Sequence, residues 1–95
     1  MKNEEVMTFL KTHKGEIVNR FAVRRIGLFG SHVRGVATEH SDVDILVEMD
    51  QPTFDSYMDL KFYLEERLGR PVDLVLAESI KPRLRPIISR EVAYA

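Results

Sequence analysis

The sequence predicts a small α/β (α+β) domain, a mixed β-sheet with helices packed on it. Three observations lead there. Residues 24–29, 43–48 and 72–76 are short apolar runs with the length and residue types of strands. A longer segment with helical spacing, ending at Gly69, separates the second run from the third. The polar residues bracketing these runs meet only if strands one and two are antiparallel and strands two and three parallel, with the helix as crossover.

From the N-terminus, Asn3 suits a helix cap, and Glu4 and Glu5 suit the positive end of its dipole. Val6, Phe9, Leu10, His13, Ile17 and Phe21 keep helical spacing and form one stripe. Gly15 inside that stripe costs about 1 kcal/mol relative to alanine. The segment is therefore one helix, or two broken near Gly15. The first strand, 24–29, stops at Gly30-Ser31, a turn signal that also starts helices. Residues 32–36 have room for one helical turn, and 37–41 read as loop. In the second strand Val43, Ile45 and Val47 share one face, while Asp42, Asp44 and Leu46 share the other.

Thr53 or Asp55 can cap the next helix, which runs to Leu68 and stops at Gly69. Its stripe is Tyr57, Leu60, Leu64 and Leu68. Met58 and Phe62 lie just off it, and imply either a wide buried face or a partner-binding edge. The third strand carries Asp73 among apolar neighbours. Pro82 suits the first turn of a C-terminal helix, and Pro86 makes that helix short, kinked or late. Residues 91–95 leave room for a brief edge strand.

Asp42 and Asp44 are two apart on a strand, so both carboxylates project from one face. Ionised together they repel unless a cation sits between them. Oxygen-only ligands suit a hard divalent ion, and Mg²⁺ commonly binds one or two carboxylates plus substrate phosphates. Asp73 brings a third carboxylate from the neighbouring strand, enough for two metals flanking an in-line displacement at phosphorus. Asp-x-Asp is a common pattern, however, and Asp42 also suits a turn cap. Asp73 resists the ordinary explanation of a strand-end residue facing water, because a carboxylate among buried neighbours is costly unless paired. Gly30 lets backbone approach a ligand, and Ser31 offers a hydroxyl beside free helix-start amides that favour anions. Alone, the pair is an ordinary turn. Val36 stands where a P-loop needs lysine, and Phe29 where a nucleophile elbow needs glycine. Arg34 falls one helical turn past Ser31, within reach of a phosphate or a carboxylate, though an isolated arginine also serves as solvated surface. His32 and His40 lack zinc spacing with a third ligand.

Taken together, Gly30-Ser31, Arg34-Gly35, Ser41-Asp42-x-Asp44 and Asp73 resemble the nucleotidyltransferase superfamily that includes DNA polymerase beta. The wording Gly-Leu-Phe-Gly-Ser-His-x-Arg-Gly and the Lys81-Pro-Arg-Leu-Arg-Pro tail are similar to its minimal nucleotidyltransferases, the antitoxin partners of HEPN-domain RNase toxins. The resemblance covers essentially the whole chain, and every acidic position of the family pattern is filled. It implies that Asp42 and Asp44 bind Mg²⁺ and that Gly30 and Ser31 hold ATP. It further implies that Asp73 completes the metal site and helps activate the acceptor. The implied reaction moves AMP onto a hydroxyl, a tyrosine of the cognate HEPN toxin, and releases pyrophosphate.

Bulk properties limit the alternatives. Ninety-five residues make one domain, residues 1–95, which leaves a partner to supply most of the acceptor pocket. A net charge of −1 gives no global basic field, so no direct nucleic-acid binding is expected. With no cysteine there are no disulfides and no thiolate metal sites, which suits the cytoplasm. The start lacks a signal-peptide pattern, and no apolar run nears the roughly 20 residues that span a bilayer. A competing reading is a binding-only antitoxin that masks its partner by contact through Met58, Phe62, Arg83 and Arg85. A third is transfer to RNA or to a small molecule such as an aminoglycoside, which the missing acceptor domain and basic surface disfavour.

Overall fold

The computed structural model describes residues 3–30 and 42–95. Among them the elements run α1 (Asn3–Thr12), α2 (Lys14–Phe21), β1 (Val23–Leu28), β2 (Val43–Met49), α3 (Phe54–Leu68) and β3 (Val72–Leu76). A 3₁₀ turn (Ala77–Ser79), α4 (Arg85–Glu91) and β4 (Ala93–Tyr94) follow. The sheet order is β3-β2-β1-β4. β1 runs antiparallel to β2 and β4, and β2 runs parallel to β3, as the sequence requires. Parallel neighbours need a crossover, which α3 provides.

One face of the sheet is the core. Val43, Ile45 and Val47 alternate onto it and are fully buried, with Ile26 and Leu28 of β1 and Val72 and Leu74 of β3. Val6, Leu10, Ile17, Leu60 and Leu64 from the three long helices close over them. Each such side chain contributes about 1.5–3 kcal/mol by leaving water. The N-terminal stripe is two helices, and the break falls at His13. There the imidazole stacks on Phe9 at 4.3 Å, and Nδ1 lies 3.0 Å from the Phe9 carbonyl oxygen. Gly15 lies inside α2.

Thr53 caps α3. Its hydroxyl accepts from Ser56 N at 3.0 Å, and the Ser56 hydroxyl accepts from Thr53 N at 2.9 Å. Gly69, at φ 68°, ends the helix. The expected wide buried face is not found, since Phe62 is 57% exposed and Met58 only half-buried. The buried arc turns the other way, to Tyr63, whose ring packs 5.3 Å from Phe21 on α2. α3 side chains also close the β3 edge. Tyr57 Oη donates to Leu74 O at 2.5 Å, and Glu65 Oε2 accepts from Val72 N at 2.9 Å.

Pro82 does not open the last helix. It sits in a turn, with Arg85 N donating to its carbonyl at 3.3 Å, and Pro86 occupies the first turn of α4. A helix starting at Pro82 would put Pro86 beyond the first turn, where a missing N–H and a ring clash break the ladder. No helix among the described residues is long and apolar enough to cross a membrane.

Candidate functional site

The candidate site lies where β1 ends and β2 and β3 begin. Pairing is carried past the end of β1 by Phe29 N, which donates to Asp44 O at 3.1 Å. The next residue, buried Gly30, takes φ +74°. A Cβ placed there would overlap Asp44 Oδ2 and lie 3.1 Å from its Cγ. Only glycine lets the turn press its backbone against this carboxylate.

In the parallel ladder Asp44 is the register partner of Asp73, as Val43 is of Val72. Register partners project from the same face, on strands about 4.8 Å apart. Asp42 precedes β2 by one residue, and Val43 N still bonds Pro71 O at 3.0 Å. By alternation Asp42 joins Asp44 on the face opposite the core. Thus Asp42, Asp44, Asp73 and Gly30 share one end of the sheet. Ser31 and Arg34 lie outside the described residues, as do His32, Gly35, His40 and Ser41.

Asp73 is not a carboxylate buried among apolar neighbours, contrary to the expectation from sequence. Val72 and Leu74 turn into the core, but Asp73 alternates outward and is exposed. Desolvation therefore does not demand a partner for it. The register beside Asp44 is what sets it apart. Asp42 is also exposed, and Asp44 is half-buried. Among the described residues no three His, Asp or Glu side chains lie close enough together to hold a metal ion as they stand. The donor chemistry nevertheless fits a hard cation that keeps several waters and takes one or two carboxylates, rather than one that needs a closed protein cage.

Farther along the same face is a pair that the sequence did not reveal. Arg25 Nε donates to Glu48 Oε2 at 2.5 Å and Nη2 to Oε1 at 3.2 Å, with the Tyr94 ring 4.2 Å from the guanidinium. The hydrogen bond to Arg25 holds the Glu48 carboxyl below its ordinary pKa, and the same bond raises that of Arg25. Register alone brings the two together, so residue spacing carries no signal for it. Leu46 lies between Glu48 and Asp44 on this face. It is nonetheless 4% exposed and lines a cleft of about 480 Å³ with Arg25, Glu48, Ile80, Arg85 and Tyr94.

Comparison with known proteins places the chain. The family described as "Nucleotidyltransferase domain" matches residues 10–95. Protein adenylyltransferase MntA of Thermococcus cleftensis is 48% identical over 92 residues, 96% of this chain and 93% of that protein. A structure described as a candidate minimal nucleotidyltransferase superposes with a TM-score of 0.85 at 34% identity, covering 98% of this chain and 95% of the other. A chain from the tri-AMPylated Shewanella oneidensis HEPN toxin in complex with MNT antitoxin gives a TM-score of 0.66. At 21% identity, over 93% of this chain and 70% of that one, this last likeness is one of fold.

Proposed function

The chain belongs to the nucleotidyltransferase domain family, and on that premise we propose that it is an antitoxin that transfers AMP from ATP to a tyrosine of a cognate HEPN toxin. One observation carries the reading: Asp44 and Asp73 are register partners on neighbouring parallel strands, at the place where Gly30 presses its backbone against Asp44. The name of the Thermococcus cleftensis relative supports protein adenylylation, and the AMPylated HEPN toxin in the Shewanella complex supports the acceptor. We assign the reaction to the cytoplasm, where ATP is at hand.

Asp42, Asp44 and Asp73 are the residues that would hold Mg²⁺, as two ions. When bound, the metal supplies neutralisation of the triphosphate charge and polarisation at phosphorus. The remaining work is positioning. Gly30 keeps a side chain out of the space beside Asp44, so the triphosphate approaches backbone amides there. Ser31 and Arg34 are assigned to the same phosphates. The acceptor oxygen bonds to the α-phosphorus as the bond from that phosphorus to the bridging oxygen breaks. Pyrophosphate leaves with the electron pair, and the hydroxyl proton passes to Asp73 and on to water.

The test is transfer of label from α-labelled ATP, with Mg²⁺, to the HEPN protein. We expect an adenylyl mass shift on a tyrosine. Asp44→Asn is expected to abolish the shift while remaining folded. Undiminished transfer by that variant would overturn the site assignment. Neutralisation of the toxin by the same inactive variant would favour masking by contact.

A further inference from the structure

We propose that α4 and the turn before it form the docking surface for the acceptor protein, through an acidic segment with apolar residues; this rests on the reading above. The turn and α4, residues 81–91, carry Lys81, Arg83, Arg85 and Arg90 against the single acidic residue Glu91 at the helix end, in a chain of net charge −1. Lys81, Arg83 and Arg90 make no ion pair among the described residues. Between them Leu84 is 40% and Ile87 54% exposed. α4 has no buried residue at all. A helix of seven residues is too short to persist on propensity alone and depends on packing. Here Ile88, half-buried, and Arg85 Nε, donating to Ile80 O at 3.2 Å, are its anchors, and its apolar side faces water.

Charge complementarity selects the occupant. Arginines interleaved with aliphatic side chains suit a protein segment that brings carboxylates and apolar groups together. A nucleic acid would use the cations but not Leu84 and Ile87. Position ties the surface to the chemistry. α4 lends Arg85, Ile88 and Ser89 to the cleft that Leu46 also lines, with Leu84 and Ile87 left outside it, and Asp44 follows Leu46 two residues along the same strand face, about 6.6 Å away. A partner held on Leu84 and Ile87 that extends past Arg85 into this cleft would meet the carboxylates along β2. Phe62, grouped with Arg83 and Arg85 in the sequence, lines a different cleft with Arg20, Tyr63 and Arg67. It forms no part of this surface.

The experiment uses the full chain and the HEPN protein of the proposed reaction, with Arg83→Glu and Ile87→Ser combined. Calorimetry reads docking, and label transfer reads chemistry. We expect Kd and KM for the HEPN protein to rise at least tenfold, kcat at saturation to stay within twofold, and binding to weaken as salt rises. Phe62→Ser should change none of these. Unchanged Kd in the α4 variant overturns the docking surface even if transfer is intact. Absent transfer with an α4-dependent Kd overturns the chemistry and keeps the surface. A concentration-dependent dimer of the parent chain that Ile87→Ser abolishes would assign α4 to self-association instead, and preferential RNA binding would assign it to nucleic acid. Either overturns the proposal.

Discussion

Gly30 rests against the carboxylate of Asp44, so that even a methyl group at residue 30 would occupy the place of Oδ2. Gly30→Ala therefore carries two penalties. The left-handed backbone costs roughly 1–2 kcal/mol for a residue with a Cβ, and Asp44 must also move. Gly69 provides the control, because it has φ +68° but no neighbouring atom within 4 Å of where a Cβ would stand. Gly69→Ala should lose roughly 1–2 kcal/mol of stability in urea from the backbone alone, and Gly30→Ala should lose more, because Asp44 must also shift. Gly30→Ala alone should lose nucleotidyl transfer, by about a hundredfold or more if a displacement near 1 Å disturbs the reacting geometry. Equal activity of the two variants would contradict a role for the Gly30–Asp44 approach.

Asp73, exposed on the sheet face, is expected to serve chemistry at no gain to the fold. Neighbouring ionised groups repel. Asp73→Asn should leave the urea midpoint unchanged or slightly higher while removing transfer. Chelation by EDTA should remove transfer from the parent, and added Mg²⁺ should restore it. A clear fall in stability on Asp73→Asn would mean that the residue is structural.

The β3 edge gives a stability prediction unconnected with activity. Tyr57→Phe removes the donor to Leu74 O, and Glu65→Ala removes the acceptor of Val72 N. Each should cost about 0.5–1.5 kcal/mol in urea unfolding. Amide exchange should quicken at Val72 in the Glu65 variant. No such change there would mean that water replaces the carboxylate without penalty.

The Arg25–Glu48 pair predicts a pH dependence with a definite sign. The Glu48 pKa is lowered in the folded state, chiefly by the Arg25 hydrogen bond, from an ordinary 4.5. Its stabilisation is thus present above about pH 4.5 and fades as pH falls through the lower folded value. Glu48→Gln should be less stable than the parent at neutral pH, and the two should converge in acid. The side chains are 55% and 34% exposed, so the difference should be small and shrink in salt.

How much of this was legible follows from the range of each force. Helix caps and strand runs are local. A cap at Thr53 or Asp55, the stop at Gly69 and the alternation of Val43, Ile45 and Val47 could be read because capping and period-two burial act within a few residues, while the choice of Thr53 needed the structure. The strand directions were also legible, because the polar ends had to meet. The exposure of Phe62, the burial of Tyr63 and Leu46, and the Arg25–Glu48 pair were not. Each depends on which distant surface covers a side chain. A hydrophobic pattern marks what can be buried, without naming what buries it.

Sequence alone settled the order of elements, their approximate ends, the carboxylates that stand out, and the family they resemble. These rest on local backbone preference and on residue chemistry. Tertiary structure decided that Asp73 stands beside Asp44 rather than one residue out of step, that Gly30 meets the same carboxylate, and that α4 keeps its apolar side in water. The physical reason is strand register. A slip of one residue turns every side chain to the opposite face, and the core of the whole sheet, rather than any single segment, selects the register that stands.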